Sequence, residues 1–141
     1  MAHQPTLDFY VRKAWLKIYN QYQRKATAAG YSLSAAYLLL AIDRKEGTPA
    51  TQLGPKTGLQ KGSLTRVLRE LENEGIISRE AGTQDKRIRR VFLTDKGLPL
   101  REQARAEVLA FQQRVEARFS PEQLDMFKEV LQGIIDLAEE D

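Results

Sequence analysis

The chain has 141 residues, 42% hydrophobic and 29% charged, which is the composition of a globular protein sized for one domain. With no cysteine and a single histidine, His3, near the N-terminus, disulfides, thiolate chemistry, a usual zinc site and Ser/His/Asp or Cys/His catalytic sets are excluded. The net charge of +3 hides an asymmetry: residues 1–47 and 48–97 each carry +4, whereas 120–141 carry −6, so the basic front favours a polyanionic partner.

The first helix is expected from Thr6 to Ala29. Leu7, Val11, Ala14, Trp15, Ile18, Tyr22, Ala26 and Ala29 recur at steps of three and four, and Gly30 is a natural stop. Ser34 is read as the cap of a second helix, "AAYLLLAIDRKE", ended by Gly47 and apolar nearly all round, hence central to a core. Thr48-Pro49 should open a short helix, "ATQLGPKT", that stops at Gly58, with Pro55 bending or tightening it. After it comes "KGSLTRVLRELENEG", whose buried stripe is Leu64, Val67, Leu68 and Leu71.

The period then changes. "IISRE" and "RRVFLT" are β-rich runs around the loop "AGTQDKRI" and read as a two-stranded hairpin. Thr94 can cap a long helix from Asp95 to about Phe119, with a stripe through Leu100, Ala104, Val108, Phe111 and Val115. Ser120-Pro121-Glu122 opens a last helix with Leu124, Phe127, Leu131, Ile134 and Ala138 on one side. No apolar run approaches the roughly 20 residues that span a bilayer. The start has neither the order nor the cleavage site of a signal peptide, so a cytoplasmic, membrane-free protein is expected.

The expected fold is mainly α with a small β-hairpin: a helix-turn-helix with a basic wing, flanked by terminal helices. A helix fits the major groove of duplex DNA, where exposed N-terminal residues meet base edges. Arg66 and Arg69 can pair with guanine edges or phosphates, Ser63 and Thr65 can donate to phosphates or bases, and Lys61 lies on the same side. Arg66 and Glu70 are also i,i+4 neighbours, so an ordinary salt-bridged surface is the plainer reading of that face. In the hairpin, Lys86 and Arg87 sit at or near the tip and can reach a minor groove, while Asp85 would shape the loop. Arg89 and Arg90 are further candidates, but successive strand residues point to opposite faces, so at most one of them readily faces DNA.

The stretch "LQKGSLTRVLRELENEGIISREAGTQDKRIRRVFLTDKG" resembles the recognition helix and wing of the MarR family of bacterial transcription regulators. The likeness rests on Asp85-x-Arg87, Leu93-Thr94 and Gly97, preceded by Leu71-Glu72, Gly75-Ile76 and Arg79. The "LGPKTG" helix, with its internal Pro55, departs from the commonest pattern. The resemblance implies one MarR-type domain over 1–141, with a winged-helix lobe at 34–97 and dimerisation helices at 6–30 and 98–140. It further implies a homodimer on a pseudo-palindromic operator, Arg87 in the minor groove and Asp85 orienting the wing through a salt bridge.

A dimer is also expected from the residues themselves. Met126, Val130 and Leu137 add a second apolar stripe to the last helix, and Phe9, Tyr10 and Tyr19 widen the first, more than a small lobe can cover. The resemblance implies a small aromatic or phenolic effector, for which Arg12, Trp15, Tyr19 and Tyr37 are the candidates. No cofactor or enzymatic activity is expected. The competing class is a winged helix that carries its basic wing to an acidic protein or to RNA.

Overall fold

The computed structural model describes residues 3–81 and 87–140. In chain order these form α1 (Leu7–Ala28), α2 (Leu33–Ala41), β1 (Thr48–Pro49), α3 (Ala50–Thr57), α4 (Lys61–Asn73), β2 (Ile77–Ala81), β3 (Arg89–Leu93), α5 (Gly97–Arg118) and α6 (Pro121–Glu139). They divide into two compact units, one up to Arg105 and one from Ala106 onward.

In the first unit the apolar residues of α2, α3, α4 and the sheet meet in one core, with the α4 stripe where the sequence places it. Of the α1 stripe, by contrast, Leu7, Val11 and Trp15 are exposed and only Ala26 is buried. Leu38, Leu39, Ile42, Leu53 and Val91 are completely buried, and Val67, Leu68, Leu71, Ile76 and Ile77 close around them. Each such aliphatic side chain removed from water contributes about 1.5–3 kcal/mol. Leu64, Leu93 and Leu100 pack at the margin. A smaller cluster of Leu33, Ala36 and Ala104, with Tyr22, Tyr37 and Leu40 beside it, docks α1 and the start of α5 against α2.

Three expectations are corrected. The cap of α2 is Ser32, not Ser34: Ser32 is extended, and its Oγ accepts the amide of Ala35 at 3.1 Å. A cap must precede the first helical turn to reach its free amides, and Ser34 already lies inside that turn. The helix then stops at Ala41 instead of running on to Glu46, because Asp43 offers the backbone a competing partner. Its Oδ1 accepts the amides of Lys45 at 2.9 Å and Glu46 at 2.7 Å, closing a turn in place of helix.

The third correction concerns Thr48-Pro49, which does not cap α3 but pairs with β3, Thr48 opposite Val91 and Pro49 opposite Arg90. The sheet is therefore three-stranded and antiparallel, in the order β1-β3-β2, rather than a two-stranded hairpin. A proline is tolerated there because β1 is an edge strand that needs no donor on its outer side. The Thr48 side chain, buried, accepts the Asp43 amide at 2.9 Å and donates to the Ala41 carbonyl at 3.4 Å, tying the strand to the end of α2. Pro55 does lie inside α3, which ends on Gly58 in the left-handed conformation.

In the second unit, α6 begins with a complete capping box. The Ser120 hydroxyl accepts from the Gln123 amide at 3.2 Å, and the Gln123 side chain accepts from the Ser120 amide at 2.9 Å. No residue of α6 is buried. Val115, Phe119, Gln123, Leu124 and Phe127 line an almost wholly apolar cavity of about 340 Å³.

Candidate nucleic-acid interface

The period of α4 decides what its outer surface carries. With Val67, Leu68 and Leu71 committed to the core, Lys61, Ser63, Thr65, Arg66 and Arg69 are all exposed, as their spacing requires. Gln60 precedes the helix without a side-chain cap, and the first turn holds no acidic residue. The charges run against the helix dipole, with Lys61 at the positive end and Glu70 and Glu72 near the negative end. Each misplaced charge costs about 0.3–1 kcal/mol. That layout makes sense if the N-terminal end serves an anion rather than the helix.

Two of the five residues already have partners within the helix. Arg66 Nη1 lies 3.2 Å from Glu70 Oε1, and the Thr65 hydroxyl donates to the Lys61 carbonyl at 2.9 Å. The Arg66–Glu70 pair is solvent-exposed and of the kind worth only a few tenths of a kcal/mol, so a phosphate can displace it at small cost. Arg79, on β2, faces back to α4, its Nε 3.5 Å from Glu72 Oε2 but not aligned for a hydrogen bond.

The hairpin that follows pairs Ile77 with Leu93, Arg79 with Val91 and Ala81 with Arg89. Arg87 and Arg89 are exposed, whereas Arg90 is half-buried. Asp85 and Lys86 lie outside the described residues. Val91 is fully buried and Leu93 packs at the core margin, so these two residues anchor the strand. Arg90 is held in a way the sequence did not disclose: its Nε donates to the Glu46 carbonyl at 2.7 Å, 44 residues away. The one available signal was "DRKEG", an aspartate three residues before a glutamate and four before a glycine, which is a turn signature.

Of the effector candidates, Trp15 and Tyr37 share one cavity of about 350 Å³, lined also by Leu40, Ala41, Lys56 and Thr57. Arg12 and Tyr19 are not among its lining residues, although the Tyr19 ring lies 6.1 Å from that of Trp15. The Tyr37 hydroxyl oxygen is buried with no hydrogen-bond partner among the described residues. Burial, and then the neighbouring Tyr22 and Tyr19, raise its pKa above that of an ordinary tyrosine. Among the described residues no helix is long and apolar enough to cross a membrane.

Known proteins share both sequence and fold with this chain. The model of the MarR family matches residues 32–88. The HTH-type transcriptional regulator PetP of Rhodobacter capsulatus is 36% identical over 69% of this chain and 58% of its own length. The uncharacterized HTH-type transcriptional regulator YdgJ of Bacillus subtilis is 30% identical over 72% and 62%. The chain thus spans about three-fifths of the length of these two relatives. Among solved structures, the DNA complex of S. aureus MepR is 18% identical and superposes with a TM-score of 0.81 over 94% of this chain and 98% of that one. At that identity the likeness carries the fold. The family match across α2 to the hairpin thus places residues 32–88 in the MarR family, and the fold likeness extends over most of the chain.

Proposed function

We propose that the protein is a DNA-binding transcriptional regulator, a repressor, that acts as a homodimer on a pseudo-palindromic operator. The observation that carries this reading is the exposed row Lys61, Ser63, Thr65, Arg66 and Arg69 on α4, followed directly by a hairpin with Arg87 and Arg89 exposed. In this reading α4 enters the major groove and Arg87 the adjacent minor groove, with Lys86 beside it and Asp85 pinning the loop.

The terminal helices support self-association. Leu7, Tyr10, Val11, Trp15 and Leu16 of α1 are exposed, as are Met126, Phe127, Val130, Ile135 and Leu137 of α6. Apolar surface of that extent marks an interface. The charges are complementary: α1 holds five basic residues against one acidic, and α6 five acidic against one basic. In a two-fold dimer the recognition helices would meet half-sites about 34–36 Å apart, one turn of DNA.

The cavity at Trp15 and Tyr37 suits a small aromatic or phenolic acid as the releasing effector. Its ring would lie against Trp15, its carboxylate near Lys56 and its hydroxyl on the side of Tyr37, whose buried oxygen has no partner among the described residues. The test is selection from a random duplex library. The wild-type protein should enrich a palindrome, with affinity falling by about 0.9 log units per log unit of salt for each phosphate neutralised. Arg87→Ala should weaken that binding while the protein still elutes as a dimer. Salt-independent binding, or an Arg87→Ala protein with full affinity, would sink the reading.

A further inference from the structure

We infer that Arg90 is a wing-positioning residue and that its neighbour Arg89 makes the phosphate contact at the root of the wing. This rests on the DNA-binding reading above and divides two arginines that composition alone leaves equivalent.

The division comes from what surrounds each side chain. Along β3, Arg90 and Phe92 share one face and Arg89, Val91 and Leu93 the other. The Arg90 face is covered by the turn that runs from Asp43 to Gly47. Asp43 Oδ1 holds that turn closed through the amides of Lys45 and Glu46. Gly47 then brings the chain onto the strand: its φ is +69°, and a Cβ there would stand 2.7 Å from the Phe92 ring and from the Val91 carbonyl oxygen. Thr48 completes the register opposite Val91. The Glu46 carbonyl is thereby presented to Arg90, whose Nε donates to it at 2.7 Å.

A guanidinium held in this way fixes the start of β3 to the body of the lobe. Its Nε is committed to that carbonyl, which turns the side chain toward the turn and away from the exposed side of Arg89. Arg89 is on the core-side face but lies beyond the edge of the core, where it is exposed. With Val91 and Leu93 fixed inside, its position relative to α4 is set by the strand, and Arg90 is what keeps that strand in place. Arg90 therefore acts on DNA affinity through the wing, and Arg89 acts through its charge.

The two roles separate on salt dependence, measured on the duplex that the wild-type dimer enriches from a random library. Arg89→Ala should lower affinity and flatten the slope of log K against log salt by about 0.9 for each phosphate it no longer neutralises. Arg90→Ala should lower affinity by about tenfold, the worth of one charge-assisted hydrogen bond, and leave the slope unchanged. Amide exchange in β3 should quicken with it, and Arg90→Lys should recover both affinity and protection. Asp43 supplies a control in which charge and position predict opposite signs. Asp43→Ala removes a negative charge yet should weaken binding, because it opens the turn. Asp43→Asn removes the same charge but keeps the acceptor, and should bind at least as tightly as wild type. A slope flattened by Arg90→Ala as much as by Arg89→Ala overturns the assignment, as does Asp43→Ala binding as tightly as Asp43→Asn. A wild-type protein that binds no duplex overturns the DNA reading and this proposal together.

Discussion

Gly97 stands so close to the backbone of Ile76 that a Cβ at position 97 would overlap the Ile76 carbonyl oxygen. The approach is one stitch of several between the end of α4 and the start of α5. The Thr94 hydroxyl lies 2.6 Å from the Gly75 carbonyl and 2.9 Å from that of Ile76, and accepts the Gly97 amide at 3.2 Å. Lys96 Nζ donates to the Glu74 carbonyl at 2.9 Å. The end of α4 is thus joined to the start of α5 by side chains that bond its carbonyls and by one close backbone approach, which explains why threonine and glycine stand three residues apart here.

Gly97→Ala should accordingly force these segments apart, at a cost of about 1–3 kcal/mol or more. In urea unfolding the midpoint should fall with little change in slope. An alanine variant as stable as wild type would mean that the two backbones can separate freely at this junction.

On α3, Leu53 alone is buried, and it is completely enclosed. Leu53→Ala should cost about 2–5 kcal/mol, because the side chain is enclosed in the main core and its closely packed neighbours can collapse only partly into the space left. DNA affinity should drop further than the unfolded fraction accounts for, since α3 supports α4. A loss of stability below about 1 kcal/mol would show that α3 is held by its neighbours instead.

Tyr37→Phe removes a buried hydroxyl that has no partner among the described residues. Unfolding free energy should stay within about 0.5 kcal/mol of wild type or rise, because no hydrogen bond is lost and an unsatisfied group is gone. Binding of a phenolic acid, followed by calorimetry, should weaken. Destabilisation well beyond that range would reveal an ordered water on the hydroxyl.

Asp43 has its carboxyl pKa lowered by the amides of Glu46 and Lys45, in that order. A depressed folded pKa contributes stability that is present above the ordinary aspartate value of about 3.9 and is lost as pH falls through the folded value. The carboxyl titration followed by NMR should therefore have its midpoint below the ordinary range, and Asp43→Asn should remove that part of the acid-side slope in stability. A midpoint at or above the ordinary value would mean the turn opens in solution.

Much of this protein was legible in the sequence because helical and strand periods are local. The stripe of α4 requires that Lys61, Ser63, Thr65, Arg66 and Arg69 face outward, and Ser120-Pro121-x-Gln123 specifies its own cap. The pairing of "IISRE" with "RRVFL" follows from two β-rich runs joined by a short loop. What the sequence could not decide depends on partners distant along the chain. That Thr48-Pro49 becomes a third strand is settled by the free edge of β3. That α2 stops at Ala41 is settled by Asp43 and by Thr48 reaching back to the Ala41 carbonyl. Arg89 and Arg90 are adjacent, equally charged and indistinguishable by composition. Only the turn folded over one face of the sheet, with Glu46 brought 44 residues back to Arg90, gives them different surroundings.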